Sequence, residues 1–153
     1  MKFLAGIAII VAGAVFMMLI NGNWELRTLV MFADAPSLIV LLLALAGTVT
    51  AARQWGLFGR AVKAAFCPKQ AISKDECTEG IELFLLLRKS SIYAGVLIAM
   101  VGLVITMGNL RDVEITAANT ALAILGIFYA VFVNLAFINP VIGGLQRRLR
   151  GQR

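Results

Sequence analysis

The sequence predicts an all-α integral membrane protein with four transmembrane helices and both termini on the cytoplasmic side. Three observations carry this. The chain of 153 residues is 61% hydrophobic and only 14% charged, against about 25% charged in an average soluble domain. The apolar residues are segregated. No charged residue falls in 3–24, 35–52, 90–110 or 115–146, windows of 22, 18, 21 and 32 residues. A helix rising 1.5 Å per residue needs roughly 20 residues to cross about 30 Å of hydrocarbon. Finally, the basic residues are one-sided. Twelve of the fourteen lie at Lys2, in 53–89 or in 147–153, leaving only Arg27 and Arg111 for the other loops. The positive-inside rule makes the crowded side cytoplasmic, and four spans return both termini to it. Continuous apolar runs, not period-two alternation, favour helices over a barrel.

In chain order, the spans are expected at about 3–20, 36–52, 91–108 and 116–139, with a cytoplasmic loop at 53–89 and a basic tail at 146–153. The whole chain reads as a single membrane domain. The first run ends in Leu19-Ile20-Asn21-Gly22 without a small-x-small cleavage site, so it reads as a retained helix, not a signal peptide. Trp24 and Phe32 suit the interface of the following loop. Asp34 is the expected N-cap of the second helix, with Pro36 and Ser37 in its first turn.

The stretch 53–66 places Trp55, Phe58, Val62 and Phe66 at helical spacing, with Arg60 and Lys63 off that face. It reads as a cytoplasmic extension of helix two packing on its neighbours, with a helix on the membrane surface as the alternative; Pro68 ends it. Ser73 with Glu76 forms a capping-box pattern. The helix it opens is expected to extend helix three on the cytoplasmic side, running through Arg88-Lys89 into the span. Pro140 is expected to kink or end helix four, and Gly143-Gly144 to loosen the chain beyond it.

The chemistry is sparse. No Asp, Glu, Lys, Arg or His stands inside any of the four windows, and intramembrane ionisable groups are what mark proton and ion paths. Histidine is absent from the whole chain, and no paired-carboxylate or nucleophile pattern emerges. The expectation is no enzyme, no cofactor and no metal. Cys67 and Cys77, ten residues apart in a reducing compartment, read as ordinary thiols. The net charge of +6 follows from topology, not from nucleic-acid binding; the basic tail is expected to meet anionic membrane lipids.

What the spans do hold is a series of small residues. Gly95, Ala99, Gly102 and Thr106 stand at offsets of four, three and four, and Ala123, Gly126, Ala130 and Asn134 at three, four and four. Small residues on one face let membrane helices approach closely, so these positions are the expected helix-packing seam. Thr48, Thr106 and Asn134 are the polar groups that would face a pore or partner.

The segment Asp34-Ala35-Pro36-Ser37-Leu38-Ile39-Val40, followed by Gly47-Thr48, resembles the second transmembrane helix of MotA-type stator proteins. Gly95 and Gly102 before Asn109-Leu110 are similar to the glycine spacing of that family's third helix. Tyr129 with Pro140, and Leu135-Ala136-Phe137 before the proline, are similar to its fourth. The resemblance to the MotA/TolQ/ExbB family covers roughly 34–66 and 79–146. It implies a bacterial inner-membrane ring, a pentamer of this chain, around a single-span partner of the MotB/ExbD type. That partner's carboxylate would bind the ion and drive a stator-type machine. The chain departs from the family pattern at Ile92, where the family has proline, at Ile98-Ala99 for Gly-Thr, and at Gly126-Ile127 for threonines. These departures give the alternative expectation: a non-conducting membrane scaffold that keeps the stator fold. A small transporter is the least favoured reading, because such proteins commonly place a charge in a span.

Overall fold

The computed structural model describes residues 8–9, 11–13, 15–16, 34–67, 72–108, 110 and 113–151. Every regular element among them is a helix. The first window is helical at its described positions. The loop with Trp24 and Phe32, and also Lys2, Pro68, Asn109 and Arg111, lie outside the described residues.

Helix α1 spans Ala35–Ala51. Asp34 caps it, its Oδ2 accepting from the Ser37 N–H at 3.2 Å, and Pro36 sits in the first turn, where no N–H is needed. The C-terminal end is less expected. Ala52 is the C-cap and Arg53 has φ 54. The Arg53 N–H donates to Thr50 O at 3.0 Å and the Gln54 N–H to Val49 O at 3.3 Å, the two reverse bonds of a Schellman cap. Such a cap puts its left-handed residue where glycine is usual; arginine there costs roughly 1–2 kcal/mol.

The cap turns the chain. Helix α2, Trp55–Phe66, leaves the α1 axis by 112°. It therefore packs on its neighbours, as expected, but is not a collinear extension of helix two. Its buried face also differs from the aromatic one expected. Leu57, Ala61 and Ala64 are buried, while Trp55 is 52% exposed and Phe58, Val62 and Phe66 sit at the flanks. The small side is buried because two glycines lie against it. A Cβ on Gly144 would come within 3.2 Å of Ala65 Cα, and one on Gly80 within 3.3 Å of Ala61 Cβ.

Helix α3, Lys74–Gly108, runs 35 residues without a break, about 52 Å at 1.5 Å per residue. Its start is a closed capping box: the Glu76 N–H donates to Ser73 Oγ at 3.1 Å, and the Ser73 N–H to Glu76 Oε2 at 3.3 Å. Helix α4, Val113–Val133, leads into a π turn at Asn134–Ile138 and then helix α5, Asn139–Gly151. Pro140 thus neither ends the helix nor leaves it free to loosen. The Asn139 N–H reaches back five residues to Asn134 O. The widened turn just before Pro140 takes up its missing donor and its ring, which an α-turn would oppose. Nor does Gly143-Gly144 loosen α5, since Gly144 is the point of close approach to α2. The basic tail is helical to Gly151, and the Arg148 guanidinium donates to the Cys67 carbonyl.

Helices α3 and Val113–Gly151 are each long and apolar enough to cross a membrane, and the bent pair α1–α2 makes a third candidate. Around them the usual order is reversed. Tyr93, Val104 and Met107 are 70%, 69% and 73% exposed, while Ala94, Ala99, Ala123 and Ala130 are buried. Bulky apolar side chains outward and small ones inward are what a lipid solvent asks for. The chain is a helical protein with two or three candidate membrane-spanning helices.

Candidate functional site: the interhelical seam and its polar groups

The small residues expected on one face of each span meet across α3 and α4. A Cβ on Gly95 would stand 2.5 Å from Ala130 Cβ and 2.9 Å from Gly126 O; one on Gly102 would stand 2.8 Å from Ala123 Cβ; one on Gly126 would stand 2.5 Å from Ile98 Cγ2. Each distance is below any real Cβ contact, so glycine is what permits the approach. Ile98 fills the notch that Gly126 leaves. Gly102 opposite Ala123, Gly95 opposite Ala130 and Ser91 opposite Asn134 set an antiparallel register along three turns of seam.

The polar candidates do not converge. The Thr106 hydroxyl donates to Gly102 O at 2.8 Å and is buried at one end of the seam. The Asn134 amide donates to Ser91 Oγ at 2.6 Å and to Ala130 O at 2.7 Å at the other end. Ser91 and Thr106 are fifteen residues apart on α3, about 22 Å. Thr48 is half-buried on α1, its hydroxyl turned back to Ala44 O at 2.9 Å. Two of the three thus lie inside the chain's own packing. Asn134 Oδ1 is buried and accepts no hydrogen bond.

Ser91 is a seam residue that the sequence pattern above does not include, yet it is fully buried and its hydroxyl donates in turn to Arg88 O at 3.0 Å. The signal is present in the chain: Ser91 stands four residues before Gly95 and extends the small-residue series by one turn.

A second long-range bond ties α1 to α4. The Asp34 N–H donates to the Tyr129 hydroxyl at 2.8 Å. It links the N-cap of one helix to the middle of another 95 residues away, with Leu41 of α1 and Ala94, Leu125 and Ala130 packed in the same cluster. Two apolar grooves flank α1. One of about 290 Å³ lies between its N-terminal turn and Leu97, Gly102 and Ile105 of α3. The other, of about 350 Å³, lies in the inner corner of the α1–α2 bend. Gly47 borders nothing within 4 Å.

At the loop end, Cys67 is exposed and Cys77 buried, both as free thiols. Burial pushes the Cys77 thiol up, partly offset by the nearby Arg148 charge and reinforced slightly by Glu76. Arg60 pairs with Glu76 at 3.2 Å on an exposed flank. No family model, curated protein or solved structure matches the chain.

Proposed function

We propose that the chain is a ring-forming subunit of a stator-type complex of the MotA/TolQ/ExbB kind, working with a single-span partner that supplies the ion-binding carboxylate. In this reading the chain spans the bacterial inner membrane four times, with both termini and the 53–89 loop cytoplasmic. It carries no catalytic step of its own. One observation supports this most. Donors and hydroxyls in the described spans turn inward, the Asn134 amide to Ser91 Oγ, the Thr106 hydroxyl to the Gly102 carbonyl and the Tyr129 hydroxyl to the Asp34 N–H, while the exposed positions of α3 beyond Ser91 are overwhelmingly apolar. This reading assigns a charge crossing the bilayer to a second chain, because no charged residue of this one stands inside its four uncharged windows. The Asp34–Tyr129 bond also joins two of the segments that resemble the family.

The alternative, a non-conducting scaffold, draws support from the burial of Thr106 and Asn134, which takes both from any pore. The test is co-reconstitution of the chain with candidate single-span partners in proton-tight vesicles, with native mass spectrometry of the same sample. A ring that leaks protons only when a partner with its carboxylate intact is present supports the stator reading. A stable ring without flux under every pairing supports the scaffold. A monomer that binds no partner contradicts both.

A further inference from the structure

The corner between α1 and α2 is a lined groove that neither the seam nor the stator reading uses. Leu45 and Val49 of α1, Trp55 and Phe58 of α2, Leu87 of α3 and Phe137 of the π turn face it. Every lining side chain is apolar, and the Trp55 indole N–H is already bonded to Thr50 Oγ1 at 3.2 Å. At about 350 Å³ the groove is within the roughly 300–1,000 Å³ range of ligand pockets. An apolar space of this kind is a poor host for water and a good one for hydrocarbon.

Its height in the bundle matters as much as its lining. The uncharged window of α1 ends at Arg53, two residues before Trp55, and that of α3 begins after Arg88-Lys89, directly beyond Leu87. The groove therefore sits where hydrocarbon gives way to headgroups, with a tryptophan at its mouth, as interfacial sites prefer. Arg53 and Arg88 reach solvent at least in part, and neither has an ion-pair partner among the described residues. On α3 the nearest acidic residue, Glu82, is more than a turn and a half from Arg88. Arg53 moreover occupies the left-handed cap position that glycine would fill at lower cost, so the cation is kept there against backbone preference.

We infer that this corner binds one anionic phospholipid, an acyl chain lying in the groove and the phosphate held between Arg53 and Arg88. The inference rests on the membrane placement and not on the stator reading; it holds equally for a scaffold. It predicts a lipid that is selected by charge and kept through purification.

The chain has two tryptophans, so Trp24→Phe leaves Trp55 as the sole reporter. That variant is reconstituted in vesicles containing brominated phosphatidylglycerol or, separately, brominated phosphatidylcholine at equal mole fraction. Phosphatidylglycerol is expected to quench Trp55 with the higher relative affinity, roughly fivefold for each basic residue engaged. Arg53→Gly, which suits the cap and keeps the fold, should remove one such factor, and Arg88→Gln the other. Ala46→Phe, which fills the groove, should lower quenching by both lipids. Equal quenching by the two lipids, or a preference unchanged in the Arg53→Gly/Arg88→Gln double variant, overturns the inference. So does quenching indifferent to Ala46→Phe, which would mean that a protein segment already fills the corner.

Discussion

The two ends of helix α3 bury the same stripe with opposite materials. From Cys77 to Phe84 the inward positions are Cys77, Gly80, Leu83 and Phe84, the last two packed with Leu57, Ile138, Val141 and Leu145, while Glu79 and Glu82 lie on the outer side; exposed leucines begin at Leu85 and Leu86. From Ser91 to Met107 the inward positions are Ser91, Ala94, Gly95, Ala99 and Thr106, and the outward ones include Leu97, Met100, Val104 and Met107. One helix thus changes its sorting rule along its length. At the charged end side chains are sorted by hydrophobicity, because water is the competitor. Where the competitor is a lipid tail, as apolar as leucine, sorting falls to size and to hydrogen bonds.

The comparison makes opposite demands on substitutions at the two ends. Phe84→Ala empties the centre of the charged-end cluster, where Phe84 stacks on Phe58 at 5.5 Å and contacts Phe137 at 6.2 Å; it should cost about 3–5 kcal/mol. The readout is unfolding in a mild detergent. Gly95→Val does the reverse. It adds volume where a first carbon already meets Ala130 Cβ at 2.5 Å, and should cost about 3 kcal/mol, at the upper end for overpacking. Gly47→Ala, with nothing within 4 Å, is its control and should be neutral or slightly stabilising because alanine is the better helix former. If the two glycines respond alike, the seam is not set by close approach.

Arg53→Gly should stabilise the chain by about 1 kcal/mol, because the cap conformation is no longer strained. Thermal unfolding read beside the lipid measurement separates the two effects of this one change. Arg60→Ala breaks an exposed pair and should move stability by about 0.5 kcal/mol or less.

The smallest effect is a pH dependence. Burial holds the Cys77 thiol above its ordinary value of 9.0, so the folded chain keeps a proton that the unfolded chain has lost. The stabilisation is therefore complete below about pH 9 and falls as pH rises toward the folded value. Unfolding of Cys77→Ala between pH 8 and 10 should lack that decline. In the native chain, a thiol reagent at pH 8 should label Cys67 well before Cys77.

Where a residue's role is local, the sequence discloses it. The Asp34 cap, the Ser73–Glu76 box and the small-residue seam all follow from spacing within a few turns. The bend at Arg53 is hidden because its cap lacks the glycine that usually announces one, so Arg-Gln-Trp reads as helix continuing. Pro140 announces a disturbance of helix four but not its form. The π turn that absorbs it spans five residues of ordinary composition, and nothing in Asn-Leu-Ala-Phe-Ile marks a change of period. The buried face of α2 is not legible from aromatic spacing, because Gly80 and Gly144, distant in the chain, draw Ala61 and Ala65 inward. The destinations of Thr106 and Asn134 depend on register between helices, which no single span contains.

The inside-out sorting of α3 is best tested by spin labels at single cysteines placed along it in a cysteine-free background, reconstituted in lipid. Labels at Leu97, Met100, Val104 and Met107 should collide readily with oxygen and hardly at all with a water-soluble nickel chelate, whereas labels at Ala99 and Thr106 should be shielded from both. Strong oxygen collision at Ala99 and Thr106, or ready access of the nickel chelate to Met100 and Val104, would contradict the account.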